Sequence, residues 1–225
     1  MKKKPTMTRN PLTDDELRSL TADEYFALKL SEDERRRFRA INDERERDRI
    51  RSAKANQAET AQLLSELQAA SIGIEDVGEL VTRAEPYPEA IPVLLRHLVL
   101  PYSDDIKSTI ARSLAVPEPL VRSAWPILVS EYKNAKMGRG LKSPGDTEEF
   151  ELGAKDALAC TLAAAVTDET LEEFIEIAKD RSHGDSRLLL LSALRQSKNP
   201  LAKLAIEELA SDPQLRIEIA SWKRR

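Results

Sequence analysis

A chain of 225 residues that is 41% apolar but only 4% aromatic can build one ordinary core from Leu, Ile, Val and Ala. Its 33% charged residues and net charge of −4 exclude a polyanion binder that works by bulk charge alone, and its lone cysteine, Cys160, excludes an intrachain disulfide. Seven glycines and almost no alternating apolar–polar runs argue against β-structure and for an all-α fold. Met1-Lys2-Lys3-Lys4 opens like a secretory leader, yet no apolar run follows it and no segment reaches membrane-spanning length. The expected location is therefore cytoplasmic, where a single thiol stays reduced.

Residues 1–12 are polar, carry Pro5 and Pro11, and are expected to form a disordered tail. Three helix starts follow, each with the capping-box spacing: Thr13 with Glu16, Thr21 with Glu24, and Ser31 with Glu34. From Glu32 to Ala70 there is neither Pro nor Gly, so one helix of roughly 58 Å is expected. Its first half carries opposite charges at helical spacing, such as Glu32 with Arg36, Asp33 with Arg37 and Asp43 with Arg47. A coiled-coil seam through Phe38 and Ile41 would continue at Arg45, Asp48 and Ser52, and that heptad fails. A solvated, charge-paired helix is the favoured reading, with a dimer seam and a basic nucleic-acid arm as alternatives. Residues 1–60 carry a net +2 and the remainder −6, so the charge is uneven. Beyond Ala53 the helix turns apolar, at Ala61, Leu63, Leu64 and Leu67, and Ser71-Ile72-Gly73 ends it. A short helix over 74–84 would then place Val77, Leu80 and Val81 on one face.

From Pro86 onward a pattern repeats. A first helix carries apolar residues at i, i+3 and i+4: Ile91, Leu94, Leu95; then Trp125, Leu128, Val129; then Leu171, Phe174, Ile175; then Leu201, Leu204, Ala205. Pro92 and Pro126 are tolerable only in a first helical turn, and so mark two helix starts. A second helix opens with a basic residue, Lys107, Lys155, Arg187 or Arg216. Ile110, Leu158, Leu190 and Ile219 follow at i+3; Leu114, Leu162 and Leu194 hold i+7, where the last repeat has Lys223. Lys107 to Lys155 spans 48 residues against 32 and 29 for the later intervals. The surplus falls in 134–149, where Gly138, Gly140, Pro144 and Gly145 predict a long loop of the kind that often carries function.

This pattern resembles the HEAT-repeat family, in particular its short phycobilin-lyase-like form, in which the second helix begins Asp-Pro-Glu-Val-Arg. Asp212-Pro213-Gln214-Leu215-Arg216 is similar to that motif; Ser103-Asp104-Asp105-Ile106-Lys107 and His183-Gly184-Asp185-Ser186-Arg187 are looser versions, and Lys155 departs most. The resemblance implies a right-handed α-solenoid of about four helix pairs with an N-terminal helical extension. The expected layout is a tail at 1–12, a charged helical extension at 13–53, and a solenoid at 54–225. Within the solenoid, a cap at 54–85 precedes repeats at 86–119, 120–168, 169–199 and 200–225.

No catalytic constellation emerges. His97 and His183 have no second His or Cys at metal-ligand spacing, so no metal site and no cofactor are expected. His183 falls in a polar turn where Asp185 is expected to cap the next helix and Gly184 to relieve the bend. Gly138-Arg139-Gly140 lacks the context of a phosphate loop, Cys160 has no histidine partner, and the His-Glu pairs of iron-binding HEAT hydroxylases are missing. The row Lys107, Lys155, Arg187 and Arg216 reads either as a ladder paired with neighbouring turns or as a ridge for phosphates or an acidic partner. The positions aligned with Arg112, namely Cys160, Ser192 and Ser221, are uncharged, which disfavours a nucleic-acid groove. The expected function is a non-catalytic scaffold holding a protein or peptide on its concave face, through Arg112, Tyr132, Arg139, Lys155, His183 and Arg187. The alternatives are nucleic-acid binding through the Arg-rich helix and basic ladder, and a base-processing enzyme that would need an aromatic pocket.

Overall fold

The computed structural model describes residues 10–136 and 153–222. The tail through residue 9, most of the 134–149 loop with Arg139, and Lys223 lie outside them. Every regular element among the described residues is helical. They form two compact units, one up to Asn56 and one from Gln57 onward.

In the first unit the three capping signals do what their chemistry predicts. Thr13 and Glu16 exchange bonds at the head of α1 (Asp14–Ser19), and Thr21 with Glu24 does the same for α2 (Ala22–Ala27). Ser31 and Glu34 repeat the exchange at the head of α3 (Glu32–Ala69), at 2.8 and 3.2 Å. Glu34 also accepts from the Leu12 N–H at 2.8 Å, so the cap of one helix fastens the approach to another. Phe38 and Ile41 do not wait for a second chain. Ile41 is buried with Leu17 and Leu30, and Phe38 stacks on Tyr25 at 4.8 Å. The early turns of α3 therefore have an apolar face covered by α1 and α2, which the reading of a fully solvated helix did not include. Ion pairing follows i,i+3 more than i,i+4: Arg35 meets Glu32, Arg36 meets Asp33 and Arg49 meets Glu46, while Asp33–Arg37 forms as expected at 3.3 Å. Arg47 donates to the Asp43 carbonyl rather than to its carboxylate.

In the second unit α3 ends in a Schellman motif. Ile72 N–H reaches back to the Leu67 carbonyl at 2.9 Å, Ser71 N–H to Gln68 at 3.0 Å, and Ser71 itself takes φ 65°. The stop lies where Ser71-Ile72-Gly73 placed it, with Ser71 rather than the glycine taking the left-handed conformation. The helix expected over 74–84 shrinks to α4 (Glu79–Thr82), because the Glu79 and Asp76 carboxylates bond the N–H groups of residues 75, 76 and 78 in a turn. Val77 and Leu80 are buried; Val81 faces outward.

Then come α5 (Ile91–Leu98) and α6 (Asp104–Ser113), α7 (Pro119–Ser123) and α8 (Trp125–Asn134), and α9 (Ala154–Ala165). They are followed by α10 (Leu171–Lys179), a 3-10 segment (Arg181–Ser186), α11 (Arg187–Gln196), α12 (Pro200–Leu209) and α13 (Arg216–Ser221). Pro92 and Pro126 sit in first turns, where they break nothing. The apolar positions of the second helices, Ile110, Leu158, Leu190, Leu114, Leu162 and Leu194, share one continuous core. Within it α9 packs between α6 and α11 and against α8; α11 meets α12, and α10 meets α12. So α6, α9 and α11 stand side by side. The fourth first-helix triplet is out of phase. Asn199 caps α12 and Pro200 occupies its first turn; Ala202, Ala205 and Leu209 face the core, and Leu201 is 42% and Leu204 55% exposed.

Two outcomes follow from these backbone and phase assignments. Leu209→Ala costs about 2–5 kcal/mol in chemical denaturation whereas Leu204→Ala on the same helix changes stability by less than about 0.5 kcal/mol. Ser71→Gly, which removes a Cβ from a left-handed position, adds about 0.5–1 kcal/mol by the same measurement.

Candidate functional site

Four of the six residues expected to bind converge. Tyr132 lies near the end of α8, Lys155 in the first turn of α9, His183 in the 3-10 segment, and Arg187 opens α11. The His183 ring sits 4.7 Å from the Tyr132 ring, and Lys155 Nζ lies 4.8 Å from the centre of that ring. The Tyr132 hydroxyl pairs with Ser186 Oγ at 2.7 Å. Gly184 makes the turn possible with φ 59°, as expected. Asp185 does not cap α11, however; Asp180 bonds the Ser182 N–H at 2.9 Å instead, and Ser186 donates to the His183 carbonyl.

These residues do not form an exposed surface. Tyr132 and Arg187 have no exposed surface at all, and Lys155 and His183 are buried. The cause is the cations' position at a helix start. From there each reaches back to the orphan carbonyls at the C-terminus of the preceding helix, where positive charge is favoured. Lys155 Nζ donates to the Tyr132 and Ala135 carbonyls, both at 3.1 Å. Arg187 donates to the Ala178 carbonyl at 3.3 Å and to Gly184 at 3.1 Å. Its remaining donors cross to the next helix pair, meeting Asp212 Oδ2 at 3.1 Å and the Gln214 side chain. Asp212, the acid of the Asp-Pro-Gln-Leu-Arg motif, also accepts from Arg181 at 3.0 Å and from the Gln214 N–H at 2.9 Å. Lys107 pairs with Glu131 of α8 at 2.7 Å. Of the basic row, Arg216 alone is exposed. Arg112 is exposed on the last turn of α6, away from this cluster, and Arg139 lies outside the described residues.

The electrostatics fit a dry interior. Burial pushes the Tyr132 hydroxyl up to about 12, so the phenol stays protonated. Burial, with Lys155 adding to it, lowers His183 and favours the neutral ring. Burial also lowers Lys155 and raises Asp156. The Arg187 hydrogen bonds hold Asp212 down at about 2. Asp156 Oδ2 and His183 Nε2 are buried without a hydrogen-bond partner; the latter lies 3.6 Å from Asp180, outside bonding reach. Asp156 and Asp180 were not singled out by sequence, since an acid inside a helix start or a turn reads as solvated until its neighbours are known.

A second polar tie joins the end of α3 to α5. His97, also buried, contacts the Tyr102 hydroxyl at 2.7 Å through Nδ1 and Glu66 at 3.2 Å through Nε2. Arg96 and Gln62 bond the same carboxylate and, with His97, hold it down at about 2. Cys160 is exposed, but desolvation raises its thiol and Arg112 offsets this only in part. Among the described residues no group of three or more His, Cys, Asp or Glu side chains is placed to hold a metal ion, and no helix is long and apolar enough to cross a membrane.

Arg187→Ala leaves Asp212 with Arg181 alone, strips the Ala178 and Gly184 carbonyls of their buried donor, and lowers unfolding free energy by about 3–5 kcal/mol, read by denaturant titration. Acid acts through His183 and through the depressed carboxylates Asp212 and Glu66. The unfolded chain binds a proton at His183 more readily than the folded one, so stability falls as pH drops below 6.5, and His183→Gln flattens that limb. Asp212 and Glu66, each depressed to about 2, add a second loss as pH falls from about 4 towards that value, which Asp212→Asn reduces. Asp156 works in the opposite sense, because its raised value favours the folded state at low pH and that contribution is lost as pH rises past its folded value. No protein-family model matches this chain, and no curated protein or solved structure is significantly similar to it.

Proposed function

We propose that the chain is a non-catalytic interaction module, a HEAT-like α-solenoid of about four helix pairs that holds a protein or peptide along its row of second helices. The observation that carries this is the side-by-side run of α6, α9 and α11 over one continuous core. Outward from that run point Arg112, Cys160 and Ser192, one aligned residue per helix, all exposed. Chemistry-bearing groups elsewhere are committed to holding helices together: Lys155 and Arg187 to carbonyl ends, His97 to Glu66 and Tyr102, Asp212 to two arginines. Such a surface recognises by shape and scattered polar contacts rather than by reaction.

The nucleic-acid reading loses Lys107, Lys155 and Arg187 to internal pairing, and several arginines of α3 already face acidic neighbours one turn away. The base-processing reading relies on Trp125 and Tyr132, whose rings are buried and whose polar atoms bond Glu173 and Ser186. A cytoplasmic site of action fits the single free cysteine, Cys160.

The experiment is affinity capture of the tagged full chain from its native lysate, with and without nuclease, beside Arg112→Glu and Ser192→Glu variants. A discrete protein retained after nuclease and lost from both variants is the expected result. Recovery that vanishes with nuclease, or that is indifferent to both substitutions, rejects the proposal.

A further inference from the structure

A different surface of the second unit has an apolar floor and a rim with an excess of acidic charge. The orientation of α12 that takes Ala202, Ala205 and Leu209 inward leaves Leu201 and Leu204 outward, one helical turn apart, beside α10. With Ile175 of α10 they floor a groove of about 430 Å3 between the two helices. Glu172, Glu176 and Glu208 stand along its edges. Among the described residues that line it Lys179 is the one cation, and its ammonium is engaged by Glu208 at 2.6 Å and Glu176 at 3.7 Å. Two exposed leucines at i and i+3 cost solvation where they stand, and nothing in the packing of α10 against α12 requires them. A furrow between helices of nine and ten residues has room for two to three turns of a third.

We infer that the α10–α12 groove docks an amphipathic helix of basic character from a protein partner, seating apolar side chains at i and i+3 or i+4 on Leu201, Leu204 and Ile175 while its lysines and arginines face the glutamate rim. The apolar floor fixes where the helix lies, and the acidic excess on the rim selects its charge. This surface lies on the first helices and shares no residue with the second-helix row.

The test uses the full chain and a fluorescent peptide of about 14 residues made only of leucine and lysine at amphipathic spacing, roughly four turns. Three controls accompany it: a scrambled peptide of the same composition, a glutamate-for-lysine counterpart, and the chain alone in sedimentation. Anisotropy is expected to show saturable binding of the amphipathic basic peptide, with the scrambled and acidic peptides at least tenfold weaker. Leu204→Glu, and separately Glu172→Lys with Glu176→Lys, should each weaken it at least tenfold, while Ile217→Glu, at a more exposed apolar position on α13, should not. Circular dichroism melting checks that the variants remain folded, and Leu204→Ala serves as a second floor variant if Leu204→Glu does not. Equal binding of the scrambled peptide, no binding at all, or full binding by both floor variants overturns the inference. So does self-association abolished by Leu204→Glu, which would make a second copy of the chain the occupant.

Discussion

The arrangement of the second unit turns on what happens at the C-terminal ends of its first helices. Each such end leaves carbonyls without intrahelical partners, and here they face the interior rather than water. The chain answers with a cation from the opening turn of the next helix. Lys155 serves α8 and Arg187 serves α10. Placing positive charge at a helix N-terminus is unfavourable for that helix by itself. The cost is offset because the same side chain neutralises the negative end of its neighbour, and for Arg187 because Asp212 completes the set. Lys155 and Arg187 are thus joints between helices and not part of a ridge offered to solvent. They set how tightly α9 folds back on α8 and α11 on α10.

Much of this could be read from the residues because it is local. Capping boxes at Thr13, Thr21 and Ser31 depend on side chains three residues apart, and prolines at 92 and 126 declare their own helix positions. Apolar periodicity placed Leu94, Leu128, Phe174 and the leucines of the second helices correctly in the core. What stayed hidden is non-local. Burial of Lys155 and Arg187 depends on carbonyls 20 and 9 residues away, and a charged residue at a helix start carries no mark of that. The last first helix was misread by one position because Leu201 and Leu204 fit the apolar template as well as Ala202 and Ala205 do. The stop of α3 at 71–73 was legible, although the residue that takes the left-handed conformation there is Ser71 and not the glycine.

The first unit shows a related economy of means. Glu34 closes the cap of α3 and, with its other oxygen, holds the chain just before α1. Arg37 bridges to Asp14 and Asp33. Three helical segments, two of them only six residues long, gain a small shared core of Leu17, Leu30 and Ile41 from these ties. Helices that short do not persist alone in water, so the cluster and the caps stabilise each other.

The Arg187–Asp212 pair has a direction. The cation belongs to the third helix pair and its counter-charge to the fourth, so the two pairs are not interchangeable bricks. A chain cut before Asp212 would keep α11 and its arginine but lose the acid that completes its shell, and the damage would appear upstream of the cut. Such a one-way bond makes the segment that carries Asp212 a condition for the integrity of α11. Opening of α12 and α13 would then be felt at α11 and, through the carbonyls of α10, one helix further back.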